Sequence, residues 1–558
     1  MRKNNHTVAS APDNYPVAHM VLWGMVIVGT FLLYGISLWW GELNQDEGWY
    51  LYAGRMVAEG GVPYRDFAFT QGPVMAYAYA AAYPVIRWQG VLGGRMVTVL
   101  LGWGALALAV YLVRIIALRN GQRSLWPMLL VAAFWGLNVY QVYFTTIVKT
   151  YALAAVCMLA GLILLERALA GATMSGISSR KTVYVQSLLG GMLLALSAGV
   201  RLSSAILLPA CWLPLVLAWL RLKRPRGLEA WLLGMLAGGT LGIMLVFLPF
   251  VFLAPDALHF GLFAYHAGRT AETFLVTLAY KAGFVLRLIQ AYWPLFALAI
   301  LLPWDRICFH RGRDTKEQNV KPLHIPLGVG FIAVTLVHLL SVFPYDDYQV
   351  FVMPLAMILL ALSLGRFIDL GILQEGMRQR WVGALLIVLL GVSLSSALLH
   401  GWLVGPRNLI WWPLRERSSL GQLRDVGHMM RMGQKRCDVE GKVITQDLYL
   451  AVESGHRVPA GMELGPFANF WSLSDTDAVR FGVLNYARAA DVLAHVAAEW
   501  AAYSSYGFAI AAPSIMPIAG REREELLGLL RERFELFDVV PGFGQAMTDL
   551  YLYQGEQY

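Results

Sequence analysis

Asn44-Gln45-Asp46-Glu47-Gly48-Trp49-Tyr50 stands directly behind an apolar run that fills positions 19 to about 40. That run is close to the roughly 20 residues a helix needs to cross a hydrocarbon core. It follows Met1-Arg2-Lys3 and ends in Ser37-Leu38-Trp39-Trp40 rather than a small-residue cleavage site, so it reads as a retained anchor and not a secretory signal. Two adjacent carboxylates therefore meet the edge of a membrane.

Ten further apolar runs follow, at about 95–117, 126–144, 150–169, 183–200, 203–220, 229–254, 282–302, 324–342, 349–368 and 382–403. The 558 residues are 58% hydrophobic and 14% charged, with a mean hydropathy of +0.54. Soluble domains carry about 25% charged residues. The expectation is a polytopic α-helical membrane protein with about 11 transmembrane helices. The net charge of +8 is dispersed between apolar runs, so it sets topology and points to no nucleic-acid partner. Basic pairs and clusters such as Arg180/Lys181, Arg221/Lys223/Arg224/Arg226 and Arg311/Arg313/Lys316/Lys321 alternate with basic-poor connections. By the positive-inside rule the N-terminus is then cytoplasmic and the C-terminus extracytoplasmic.

The expected domains are a transmembrane domain, 1–403, whose first outer loop covers 41–94, and an extracytoplasmic α/β domain, 404–558. Within the loop, 48–59 and 73–88 read as interfacial helices. In the tail, Lys442–Gln446, Gly507–Ala512, Glu535–Val540 and Met547–Tyr553 read as strands, and Arg488–Tyr503 and Gly520–Phe534 as helices. Cys157 and Cys211 lie in apolar runs, Cys308 in a basic loop and Cys437 in the tail, a distribution that predicts no disulfide and no zinc site.

The runs are almost free of acids, whereas transporters tend to keep ionisable groups near the midplane. Charge gathers at the outer ends, and Asp46 with Glu47 is its most informative element. One carboxylate of such a pair can serve as a general base while a nearby cation holds the other ionised. Alternatively Asp46 caps a helix and both acids complement its dipole. No phosphate loop or dinucleotide-binding glycine pattern is present; Gly542-Phe543-Gly544 does not complete one. A phosphate-bearing lipid at the outer face would need cations at headgroup depth. Arg95, Lys149 and Arg201 each stand at the outer end of a run, either as phosphate ligands or as side chains snorkelling to water.

Asp46-Glu47-Gly48-Trp49-Tyr50, then Gly60-Gly61-Val62-Pro63-Tyr64-Arg65-Asp66-Phe67, then Gln71-Gly72-Pro73, then Arg95 opening the second run, resembles the first outer loop of bacterial GT-C glycosyltransferases. The likeness is to glycosyltransferase family 39, the protein O-mannosyltransferases, and the lipid A aminoarabinose transferases. It implies a GT-C fold in the bacterial inner membrane and an inverting transferase. The donor would be a polyprenyl-phosphate sugar, and the acceptor hydroxyl would belong to a lipid, glycan or protein. Asp46 would be the base, Glu47 would hold the acceptor side, and Arg95, Lys149 and Arg201 would neutralise the departing phosphate. Tyr345, His266 and Gln71 are the candidate substrate contacts. Relatives often carry an acid in the second outer loop, but Thr145-Thr146-Ile147-Val148-Lys149-Thr150 has none, so the expectation is no cofactor and no divalent cation. Asp346/Asp347 reads either as paired metal ligands or as a tight turn. A lipid-linked sugar flippase and a non-catalytic envelope-assembly protein are the competing readings.

Overall fold

The computed structural model describes residues 16–173, 179–221, 226–267, 273–302, 323–369, isolated positions between 377 and 391, 417–434, 441–504, 518–544 and 548–555. Helix α1 (Pro16–Trp40) leads through a short turn into α2 (Gln45–Ala58). Two short helices, α3 (Val74–Ala81) and α4 (Tyr83–Gln89), precede α5 (Val91–Arg119). Then come α6 (Trp126–Gly136), α7 (Val139–Phe144), α8 (Thr150–Thr173) and α9 (Arg180–Val200). Seven described helices are long and apolar enough to cross a membrane: His19–Trp40, Val91–Arg119, Thr150–Thr173, Arg180–Val200, Leu202–Arg221, Gly227–Leu253 and Phe274–Leu301. Trp126–Gly136 and His324–Leu340 are shorter apolar helices. Their outward side chains, such as Phe252, Leu286 and Ile300, are exposed as a lipid-facing surface requires.

Three expected elements come out differently, each for a local reason. The run 126–144 breaks into α6 and α7 because Asn138 adopts an extended backbone and its side chain accepts from the Gln141 amide at 2.8 Å, capping a new helix. The helix expected over 73–88 divides at Ala82, and Pro84 opens the second piece, where its missing N–H costs nothing. The helix expected over Arg488–Tyr503 spans only Tyr486–His495, and Trp500–Tyr503 is a fully buried strand. A short apolar run of that kind does not distinguish strand from helix by periodicity. The run 382–403 falls largely, and the strand Gly507–Ala512 wholly, outside the described residues, as do Cys308 and Cys437.

The tail is built on a four-stranded sheet of β1 (Val443–Thr445), β2 (Trp500–Tyr503), β3 (Phe534–Phe543) and β4 (Thr548–Gly555), ordered β1-β2-β4-β3. β1 and β2 run parallel, with Val443 opposite Trp500, and β4 pairs antiparallel with both β2 and β3. Helices Leu448–Ser454, Tyr486–His495 and Gly520–Arg533 accompany it. The tail is docked on α2 and its loop. Trp49 packs edge-on to Phe467, Tyr52 accepts from the Val458 amide at 3.0 Å, and Arg55 donates to the His456 carbonyl at 2.6 Å. Gly48 makes this docking possible, since a Cβ there would lie 2.4 Å from the Tyr449 nitrogen. Trp49 and Tyr52 are buried.

Glu463 lies just before the turn Gly465–Ala468, and its carboxylate accepts from the Gly461 amide at 2.7 Å. Burial pushes its pKa from 4.5 up to about 7, against the smaller opposing pull of that amide and Arg488. An acid whose folded pKa is raised favours the fold in its neutral form. Its contribution is therefore full below pH 4.5 and is lost as pH climbs towards 7, by about 1.4 kcal/mol per unit. Glu463→Gln keeps the acceptor and cannot ionise. At pH 8 it should melt above the parent by about 3 kcal/mol of stability, and at pH 4 the two should coincide. Equal melting at both values would show that Glu463 is not buried as an acid.

Candidate active site

The site is assembled at one end of the helices, from the C-terminal ends of α1 and α9, the N-terminal ends of α5 and α8, α2, and the 3₁₀ turn Asp346–Gln349. Asn44, not Asp46, caps α2. Its side chain accepts from the Asp46 amide at 3.0 Å, and Glu47 closes a capping box by accepting from the Asn44 amide at 3.1 Å. The capping role that spacing left open for Asp46 therefore belongs to its neighbour two positions back.

The two acids have different environments. Glu47 is fully buried and bidentate to Arg95, with Oε1 2.6 Å from Nη2 and Oε2 2.8 Å from Nε. Oε2 also accepts from the Val148 amide at 3.2 Å. Arg95 in turn donates to the carbonyls of Leu38 (3.2 Å), Gly41 (3.0 Å) and Glu42 (3.0 Å). Arg95, expected at a lipid phosphate, is occupied here by Glu47, the end of α1 and the α1–α2 turn, while Glu47 itself takes the amide of the α7–α8 connection. Asp46 stays 26% exposed. Its Oδ1 accepts from the Trp49 indole at 3.2 Å and its Oδ2 lies 3.1 Å from the Lys149 ammonium.

Lys149 comes from the connection Thr145–Lys149, which is buried along its length. Its ammonium bridges Asp46 to Asp347, whose Oδ2 is 2.5 Å away and also accepts from the Tyr151 hydroxyl at 2.8 Å. Burial alone would lower the Lys149 pKa, but Asp347, Tyr151 and Asp46 outweigh it and hold the amine charged. Burial alone would raise Asp347, and Lys149 with Tyr151 and Arg201 brings it below the usual carboxylate value. Asp346 is occupied separately, by Arg287 at 2.7 Å and by the Tyr140 hydroxyl. The pair thus splits between two cations at the head of a 3₁₀ turn. Among the described residues no three His, Cys, Asp or Glu side chains converge on a common point.

Arg201 is the single extended residue between α9 and the turn Leu202–Ile206. Its guanidinium lies 4.3 Å from the Tyr348 ring centroid and 5.0 Å from that of Tyr151, and Nη1 donates to Thr150 Oγ1 at 3.2 Å. Its Nε is buried without a partner, and among the described residues no carboxylate lies within ion-pair distance. Lys149 approaches the same Tyr151 ring at 5.6 Å, so two cations flank one aromatic side chain. Tyr345 packs edge-on to Tyr348 at 5.4 Å. Gln71 precedes Gly72, where a Cβ would meet the Gly199 carbonyl at 2.1 Å, so its loop is pressed against the end of α9 beside Arg201. His266 bonds the Thr70 carbonyl at 3.1 Å and joins Gln71 there.

The sequence reading missed a polar network beside Arg201. His338 Nε2 meets Ser203 Oγ at 2.8 Å and its Nδ1 meets Gln349 Nε2 at 3.0 Å, while Thr335 donates to Gln349 Oε1 at 3.1 Å. Thr335 and His338, one turn apart in an otherwise apolar run, were the available signal.

The crystal structure of ArnT from Cupriavidus metallidurans in the apo state is similar over 97% of this chain and 100% of its own, at 15% identity and a TM-score of 0.56. ArnT, a lipid A aminoarabinose transferase, belongs to the GT-C superfamily. The chain has the GT-C fold. ArnT bound to undecaprenyl phosphate is similar over 97% of this chain and 99% of its own, at 13% identity and a TM-score of 0.56. The oligosaccharyltransferase of Archaeoglobus fulgidus tethered with an acceptor peptide is covered over 74% of its length by 96% of this chain, at 10% identity and a TM-score of 0.45. No family model and no curated protein matches the chain. The likeness to ArnT covers 97% of the chain, so it reaches from the spans into the tail.

Proposed function

We propose that this GT-C chain is an inverting glycosyltransferase. It would move a sugar from a polyprenyl-phosphate donor to an acceptor hydroxyl on the extracytoplasmic face of a bacterial inner membrane. The observation that carries the reading is the contrast within the acid pair. Glu47 and the cap are fully committed to structure, whereas Asp46 is accessible and stands 3.1 Å from the buried Lys149 ammonium, which shares the Tyr151 ring with a second buried cation, Arg201, that among the described residues has no carboxylate within ion-pair distance. ArnT, of the same fold, has been solved with undecaprenyl phosphate.

In this mechanism Asp46 takes the proton of the acceptor hydroxyl. The oxygen attacks the anomeric carbon opposite the phosphate, the carbon–oxygen bond to phosphate breaks, and configuration inverts. Lys149 exchanges its bond to Asp46 for one to the departing phosphate while Asp347 retains it, and Arg201 supplies the second cation. Such fixed charges act strongly in a partly dry site. The proposed step runs without a divalent cation, a reading supported by the Lys149 ammonium that bridges Asp46 and Asp347. Gln71, His266 and Tyr345 are assigned to sugar and acceptor contacts.

The test is transfer or hydrolysis of a radiolabelled polyprenyl-phosphate sugar by purified protein, with and without chelator. Chelation should leave the rate unchanged, and Arg201→Gln should weaken donor binding by roughly 10- to 100-fold, the value of a charge-assisted hydrogen bond. A protein that releases no sugar from the donor but moves it between leaflets would be a flippase, and the proposal would fail.

A further inference from the structure

Asp447 occupies the N-cap position of helix Leu448–Ser454 but makes no capping bond to it. An Asp at such a position ordinarily bonds its own helix. Here the carboxylate turns away and accepts from the Gln45 amide at 2.8 Å, from Tyr449 at 3.0 Å, and from the hydroxyl and backbone amide of Ser504 at 2.9 and 3.0 Å. Ser504 follows β2, so the carboxylate joins the end of a tail strand to the first residue of α2. The group is fully buried, all of these donors are neutral, and burial raises its pKa. A charge-bearing side chain in that setting costs stability unless its bonds are well satisfied.

Gln45 immediately precedes Asp46. Gln45 and Gly48 lie on one face of the first turn, as residues three apart do, and that face meets the tail, Gln45 through Asp447 and Tyr449 and Gly48 through the Tyr449 backbone. Asp46, rotated onto a different face, meets Lys149. The tail thus fixes one side of the turn whose other side carries the proposed base.

We infer that the Gln45–Asp447 bond is a positioning contact, through which the C-terminal domain sets where the Asp46 carboxylate stands relative to the donor site. The inference rests on the glycosyltransferase reading for its catalytic consequence, and on the geometry alone for its structural one. Misplacing a catalytic group by about 1 Å can cost on the order of 10²-fold in rate. Lys149 is held by Asp46 and Asp347, and Arg201 by Thr150 and the Tyr151 and Tyr348 rings, so donor binding should be spared.

The experiment is a swap of amide and acid in the full-length protein. Gln45→Glu sets a second carboxylate against Asp447 and should lower kcat by roughly 10- to 100-fold with little change in donor KM. Adding Asp447→Asn re-forms the pair in reverse. The amide introduced at position 447 then donates to the carboxylate introduced at position 45, while its oxygen still accepts from the Ser504 backbone amide, and kcat should be restored. Hydrogen exchange of the amides of residues 46–49 is read in parallel. It should quicken in Gln45→Glu and recover in the swap. Gln45→Ala, which removes the bond without adding charge, serves where Gln45→Glu does not fold, and should show the same kcat-specific loss. Wild-type-like kcat in the Gln45 variants of a protein that does transfer sugar would overturn the inference. So would a swap whose exchange recovers while its kcat does not. If the wild type transfers no sugar, the glycosyltransferase reading has failed instead. Exchange in the first turn then decides the structural contact, and unchanged exchange in Gln45→Glu overturns it.

Discussion

Asp46→Asn is expected to fold, to bind a polyprenyl phosphate, and to lose roughly 10²–10⁴-fold in transfer rate, the usual contribution of a positioned general base. The expectation is clean because the cap of α2 belongs to Asn44. An asparagine at position 46 still presents an oxygen to the Trp49 indole, and Lys149 keeps Asp347, its shorter ion pair at 2.5 Å against 3.1 Å. What disappears is the capacity to take a proton. Single-turnover transfer from the labelled donor measures the loss, and titration with polyprenyl phosphate alone checks that binding survives. A rate within a fewfold of the parent would refute Asp46 as the base.

The expectations that depended on local sequence and those that depended on tertiary structure fared differently. Seven of the expected spans were legible because length and apolarity are local properties, and the first outer loop because its acids and glycines follow a span directly. The break at Asn138 was not, since one capping side chain within an apolar run leaves composition unchanged. In the site, sequence brought forward Asp46, Glu47, Arg95, Lys149 and Arg201 as a group, and the structure does gather them at one end of the bundle. It could not say which cation meets which acid. Arg95 and Glu47 are separated by 48 positions, and only the path of the chain pairs them while leaving Arg201, among the described residues, without a carboxylate. His338, Ser203 and Gln349 went unseen because a single His in an apolar helix resembles a filled core position until its partners from other elements are in place. The Asp447–Gln45 link joins residues 402 positions apart, and no spacing encodes it.

Glu47→Gln should fail for a different reason from Asp46→Asn, and the difference separates structure from chemistry in the acid pair. Glu47 accepts from four donors: Arg95 Nε and Nη2, the Val148 amide and the Asn44 amide. Glutamine offers one oxygen, and its NH₂ would face donors where the second oxygen stood. The Arg95 guanidinium, 0% exposed, would be left buried and uncompensated, a loss typically of about 3–5 kcal/mol. The expected result is a protein that melts earlier and is recovered in poor yield, with activity falling in proportion to folded material. Removing the charge from both partners distinguishes this from a proton-transfer defect. Glu47→Leu combined with Arg95→Met should be more stable than Glu47→Gln alone, because replacing a buried ion pair by apolar groups is often nearly neutral whereas orphaning one partner is not. The pair's coupling then follows from a double-mutant cycle on the melting data. Should Glu47→Gln instead melt like the parent and transfer no sugar, the proton would belong to Glu47, and Asp46 would be the residue that merely holds Lys149 in place.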